Sequence, residues 1–230
     1  MKIAIITDQH FGCRKNSKLF HDYFLKFYND IFFPYLEENG ITTIVDMGDT
    51  FDSRKGIDFS ALAWAKNNYY DRLQSMGIRV HTIVGNHTAY YKNTNEVNAV
   101  DLLLREYDNV TVYSEATEVE VGGLPVLFIP WINQDNEEST FKFIQSSNCK
   151  CAMGHLDSKD LELIEASSWI MVMRASYIQS SPRSSAVTTT LDRMMDGSTT
   201  WEIHTKCSGT MLVIGEDSPS LIQKLLNIFM

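Results

Sequence analysis

Four short phrases in the chain carry side chains of the kind that grip metal ions, and each closes an apolar run. "KIAIIT" runs into Asp8-Gln9-His10, "ITTIVDM" into Gly48-Asp49, "IRVHTIV" into Gly85-Asn86-His87, and "CKCAM" into Gly154-His155. Hydrolysis of a phosphate ester by a pair of cations about 3.5–4 Å apart needs a bridging carboxylate. It also needs further oxygen and imidazole ligands, and open positions for water and phosphate. Asp8, His10, Asp49, Asn86 and His155 supply those types. Singly, a Gly-Asp or Gly-Asn-His phrase reads as a turn, and a lone strand-end histidine as a structural residue. Four in succession, each at the carboxyl end of an apolar run, point to one shared site, because open α/β sheets bind ligands there.

The elements that must position these residues follow from periodicity. Residues 2–7 read as a buried strand, 41–49 as a second and 78–87 as a third. Between them, Phe20, Tyr23, Phe24, Phe27 and Ile31 recur at helical spacing, which predicts a helix over 17–38, bent or broken near Pro34 and closed by Asn39-Gly40. A second helix is expected over 59–76, a third near 97–106 and a fourth over 137–147. "VTVYS", "TEVEVGG" and "LPVLFIPW" read as short strands, the last two joined by a Gly-Gly turn. The expected fold is α/β, with a second sheet packed on the first and helices outside.

At 230 residues the chain is long enough for one sizeable α/β domain. The net charge of −9 argues against a protein that coats nucleic acid, but does not exclude an enzyme that grips DNA locally while gathering carboxylates around cations. Cys13, Cys149, Cys151 and Cys207 lack paired zinc spacing and read as buried thiols. His21, His81 and Trp131 fall inside element patterns and read as structural. The opening apolar run is too short for a signal peptide and no segment reaches membrane-spanning length, so a cytoplasmic location is expected, with no membrane partner.

With its motifs in view, the chain resembles the calcineurin-like metallophosphoesterases. Within them it is similar to DNA nuclease subunits of the Mre/SbcD type, those of T-even-like phages above all. The resemblance rests on "TDQHFG", "GITTIVDMGDTFDSRK", "GIRVHTIVGNH", "YYKNTNEVN", "LFIPW" and "GHLD", and covers about residues 1–163. It implies a two-sheet sandwich flanked by helices and a metal-dependent DNA exonuclease or endonuclease of recombination and repair. It further implies two divalent ions, manganese before magnesium, a homodimer, and an SMC-type coiled-coil ATPase as partner. Asp8 and His10 would hold one ion, Asp49 would bridge, and Asn86 and His155 would hold the other. His87 would contact the scissile phosphate as stabiliser or acid. Asp52 would steady the loop, and Arg54 and Lys55 are candidate DNA contacts, against the plainer reading of solvated loop charges. A nucleotide or small-molecule phosphoesterase and a non-catalytic product are the competing readings.

Two departures stand out. The family places an acid directly after Gly-Asn-His. Thr88 stands there, so His87 is expected to lack a charged partner and to be less well held. The family's closing Gly-His-x-His is also absent, and the only histidine after His155 is His204. Where it belongs lies "SAVTTTLDRMMDG". Valine is GTN and threonine ACN, so codons begun on the third base read NGT across Ala186-Val187, then three NAC codons through Thr190, which permits Gly-His-Tyr-His. In that frame Met194-Met195 forces Asp, while Met195-Asp196 and Trp201-Glu202 each force Gly. Residues 1–163 are therefore expected to form the metallophosphoesterase domain. Residues 164–230 are expected to be an out-of-frame, poorly ordered tail that leaves the fold incomplete and a sheet edge open.

Overall fold

The computed structural model describes residues 2–149, 151–157 and 160, together with the backbone of five strands between residues 171 and 214. The remaining residues of the expected tail, with Asp192, Asp196, Cys207 and the apolar run 221–230, lie outside the described residues.

Buried apolar runs become parallel strands. β1 (Ile3–Thr7), β2 (Thr43–Asp46), β3 (Arg79–Ile83) and β4 (Val110–Tyr113) lie side by side in sequence order, joined by parallel ladders. The second sheet starts from the hairpin of β5 (Thr117–Val121) and β6 (Leu124–Ile129), which turns at Gly122-Gly123 with both glycines at positive φ, as the sequence predicts. β7 (Cys151–His155) and then β8 (Met171–Ala175) add in parallel. β9 (Tyr177–Ser180) and β10 (Ser184–Val187) form a separate hairpin. β11 (Trp201–Thr205) pairs with β12 (Thr210–Ile214), and β12 pairs antiparallel with β1, occupying the edge that the sequence reading leaves open.

Alternation along the strands sorts side chains into three layers. Ile3 and Ile5 of β1 join Val126 and Phe128 of β6 and Cys151 and Met153 of β7 between the sheets. Ala4 and Ile6 face the other way, into the helices. Leu127, Ile129 and Ala152 face outward in the second sheet and pack with Ile144 of the helix Glu137–Ser146. His81 lies against Tyr113 and Phe128, with Nδ1 2.8 Å from the Tyr113 hydroxyl, and His21 stacks on Trp64, so both do structural work.

The helical layer departs from simple periodicity. The expected 17–38 helix is Lys18–Phe27, then a π-helical turn Tyr28–Phe32, then Phe33–Glu38. Pro34 comes just after the π turn, so the regular ladder gives way where the proline lacks an N–H to donate. A second π turn, Lys66–Tyr70, interrupts the 59–76 helix. Both widened turns fall where aromatic side chains crowd inward. Tyr28, Phe32, Phe33, Tyr69 and Tyr70 are fully buried; Tyr28, Tyr69 and Tyr70 meet Phe11, which meets Phe51, and Phe32 and Phe33 pack on Tyr28 and Tyr69. Among the described residues, no helix is long and apolar enough to cross a membrane.

Candidate metal centre

The loops leaving β1 and β2 are zipped together by their backbones. Asp8 N–H donates to Gly48 O at 3.0 Å, His10 N–H to Asp49 O at 2.9 Å, and Phe11 N–H to Thr50 O at 2.8 Å. Phe11 and Phe51 then drive both loops into the aromatic core. The geometry forces Asp8, His10 and Asp49 to φ values of 53°, 46° and 51°. Aspartate and histidine visit that left-handed region more readily than most residues, at a cost of order 1–3 kcal/mol each. Three such residues concentrate backbone strain in the pair of loops that leave β1 and β2.

The side chains converge on Asp49. Its Oδ2 lies 3.9 Å from His10 Nε2 and 3.5 Å from His155 Nε2, and its Oδ1 accepts the His87 backbone N–H at 2.8 Å. On one side, His10 Nε2 is 3.6 Å from Asp8 Oδ1, and on the other, His155 Nε2 is 2.8 Å from Asn86 Oδ1. Donor atoms bound about 2.1 Å from one ion stand roughly 3.0–3.4 Å apart, so both sets are close to coordination spacing. His10, Asp49 and His87 also place one donor atom each within 4.8 Å of one another. The structure thus brings together Asp8, His10, Asp49, Asn86, His87 and His155 on the carboxyl ends of β1, β2, β3 and β7.

Close packing makes glycine necessary at two points. A Cβ on Gly85 would lie 2.3 Å from Asp49 Oδ1 and 2.4 Å from Asp49 N. Gly48 has φ 105°, and a Cβ there would meet His155 Nδ1 at 2.8 Å. Any side chain at residue 85 would push the central carboxylate out of place.

Two features show that this donor set suits cations. Asp8 Oδ2 accepts from Thr7 Oγ1 at 2.7 Å, but Oδ1 is buried and accepts no hydrogen bond. An unsatisfied buried carboxylate oxygen is costly unless something positive meets it. His155 Nδ1 donates to Met47 O at 3.0 Å, which leaves Nε2 facing the oxygens of Asn86 and Asp49. A neutral imidazole there would turn a lone pair toward two acceptors, so either a proton or a cation belongs among them.

The electrostatics agree. Burial opposes charge on His10, but Asp52, Asp8 and Asp49 outweigh it and push the imidazole up to about 10. His155 is pushed up to about 9, burial being overcome by Asp49 and Asp8. Asp49 in turn is held well below the usual carboxylate range, because His155, His10 and His87 outweigh its burial.

The surrounding residues divide by role. Asp52 Oδ1 lies 3.3 Å from His10 Nδ1, and its carbonyl takes the His87 Nδ1 proton at 2.9 Å. His87 is therefore oriented by a backbone carbonyl, which no reading of residue 88 reveals. Thr88 is buried, with Oγ1 donating to Gly85 O at 2.9 Å and accepting Gly85 N–H at 3.1 Å, so it braces the glycine turn. Arg54 lies 4.8 Å over the Trp131 ring and donates to the carbonyls of Ala89 and Tyr91 at 3.3 and 3.4 Å, while Lys55 is exposed. The sequence reading missed Asp46. Buried at the end of β2, it accepts from Gly48 N–H at 3.1 Å, Thr50 Oγ1 at 2.9 Å and Gln9 Nε2 at 3.1 Å. Its signal was a lone acid inside an apolar run.

Residues 1–180 match the sequence model of the calcineurin-like phosphoesterase family. The chain belongs to the calcineurin-like phosphoesterases. Members of this family use divalent metals, which accords with the His and Asp group described above. This calcineurin-like phosphoesterase is 34% identical over 155 residues, or 67% of its length, to exonuclease subunit 1 of Enterobacteria phage T4. It spans 45% of that protein, less than half of its length. Among solved structures, the Pseudomonas putida nuclease MPE superposes with a TM-score of 0.39 at 17% identity, covering 66% of this chain and 60% of that one.

Proposed function

We propose that this chain is a DNA phosphodiesterase working with two divalent cations, manganese in the first place, held by Asp8, His10, Asp49, Asn86 and His155. One observation carries the reading. Asp49 stands between a pair of donors from β1 and a pair from β3 and β7, with an unsatisfied carboxylate oxygen on Asp8 beside it. Cations bound there would lower the pKa of the attacking water and offset charge on the phosphate oxygens. His87, its Nδ1 committed to the Asp52 carbonyl, keeps Nε2 for the phosphate, stabilising developing charge or giving a proton to the leaving oxygen. Asp52 positions both His10 and His87. Arg54 and Lys55 border the site on the same loop and offer charge to the incoming strand. DNA as the substrate is supported by the likeness to a phage exonuclease subunit, which also favours work within a complex. An SMC-type ATPase partner and a homodimer are the assembly we infer, and the host cytoplasm is the setting if the chain is phage-encoded.

Residues 164–230 read best as the product of a shifted frame. In a frame begun on the third base, the genetic code permits Gly-His-Tyr-His across Ala186–Thr190, and the single-codon residues Met and Trp force Asp and Gly in the same frame. The two imidazoles that would close the metal shells are then missing from this chain, so cation affinity and turnover should be low. Sequencing the locus tests this, and the lack of a continuous alternative frame beside these codons would refute it.

The functional test is manganese-dependent release of nucleotides from single- and double-stranded DNA, beside hydrolysis of a small aryl phosphodiester. Release of nucleotides, abolished in Asp49→Ala, is the expected result. Turnover of the aryl ester with no action on DNA would replace DNA with a small substrate.

A further inference from the structure

Beyond His87 the chain enters a loop, residues 88–98, that is pinned from within. Tyr90 N–H donates to Val97 O at 2.9 Å, Ala99 N–H donates to Thr88 O at 2.8 Å, and Ala89 pairs with Asn98. Buried Asn95 gives its amide to Ser114 O at 3.2 Å and Trp131 O at 2.9 Å, and takes Asn133 Nδ2 at 3.1 Å. The anchors are polar and internal. On the outside, Tyr90 and Tyr91 are 40% and 50% exposed and meet edge to face, with ring centroids 4.8 Å apart and planes at 82°. These rings are not what holds the loop. Arg54 fastens this loop to the one after β2 through the carbonyls of Ala89 and Tyr91, and Lys55 and Lys92, the chain neighbours of Arg54 and Tyr91, are exposed.

We propose that Tyr90 and Tyr91 form a stacking platform for the bases of single-stranded DNA, whose backbone continues into the metal centre, with Lys55 and Lys92 taking phosphates. The choice of DNA rests on the phosphodiesterase reading above. Exposed aromatic rings on a rigid loop, flanked by cations, match the chemistry of unpaired bases, which offer a π face whatever their sequence. A duplex hides those faces in its stack, so the platform selects frayed ends and single strands. With a net charge of −9 on the chain, phosphate attraction is local, and stacking supplies most of the grip.

Binding is read in EDTA, where hydrolysis plays no part, by fluorescence anisotropy of a short deoxythymidine oligomer and of an abasic oligomer of equal length. The Tyr90→Ala/Tyr91→Ala variant should bind the deoxythymidine oligomer roughly ten- to a hundredfold more weakly than the unsubstituted chain. Its binding of the abasic oligomer should not change, and Tyr90→Phe/Tyr91→Phe should restore binding. Unchanged binding by the alanine variant, an equal loss on both oligomers, or no binding by the unsubstituted chain would each overturn the platform. Manganese-dependent cleavage of the same oligomer reports separately on the phosphodiesterase. Cleavage without ring-dependent binding removes the platform alone, and ring-dependent binding without cleavage keeps the platform and counts against turnover by this chain.

Discussion

Asp46 and Asp49 leave the same strand three residues apart and are equally hidden from water, yet their surroundings make them opposites. Asp49 faces three imidazoles, which hold it ionised. Asp46 faces Gly48 N–H, Thr50 and Gln9; burial dominates those neutral donors, and with Asp8 nearby its carboxyl is pushed up to about 7. One carboxylate is set to bind charge and the other to brace a turn. Burial alone does not decide what an acid does; the charge of its donors does.

Removing the centre of the first environment should have the largest effect. Asp49→Ala leaves the facing imidazoles without their counter-charge. It should abolish manganese binding by calorimetry and lower the stability of the metal-free protein by about 3–5 kcal/mol in urea. A variant that still bound manganese would break the contrast between the two acids.

Next in size is the dependence on pH. His10 and His155, pushed up to about 10 and 9, carry protons at neutral pH that a metal must displace. Manganese affinity should therefore climb by up to about a hundredfold per pH unit between 7 and 9. Without metal the sign reverses. Raised imidazoles stabilise the fold fully below about pH 6.5, and that contribution is lost as pH rises through 9 and 10. Melting temperatures in EDTA should fall from pH 6 to 10, and excess manganese should cancel the fall.

Asp46→Asn sharpens the comparison from the other side. An acid raised to about 7 in the fold costs stability as the unfolded chain ionises from about pH 4 upward, so its penalty is full above pH 7 and gone below pH 4. Asparagine keeps one acceptor oxygen for the donors Gly48 N–H, Thr50 and Gln9, so the variant should lose stability at pH 4. At pH 8.5 it should shift in its favour, relative to the parent, by a few kcal/mol, with denaturant midpoints as the readout. The smallest effect expected is that of Thr88→Val, which loses two hydrogen bonds to Gly85 and should cost about 1–2 kcal/mol.

Much of this was legible in the sequence. Apolar runs ending in Asp, Asn or His gave both the strands and the residues at their ends, because period and ligand type are local properties. The Gly122-Gly123 hairpin was readable for the same reason. Asp46 was not, since a lone acid beside Gly48-Asp49 looks like part of the same phrase until its donors are known. The π turns were hidden too, because five-residue spacing at Tyr28–Phe32 and Lys66–Tyr70 hardly disturbs an amphipathic pattern. The support of His87 came from a backbone carbonyl, and residue types do not announce what their carbonyls face. Beyond residue 163 no segment shows a clear period before "TMLVIG", so β8 to β11 could not be read from apolar spacing.

His155 comes from one sheet of the sandwich and Asp49 from the other, and Met47 O, on the Asp49 side, takes the His155 ring proton. A cation seated there would act as a rivet through two plates. Chelation should let the plates slide at that end, and amide exchange in Cys151–His155 should quicken well before the helices loosen.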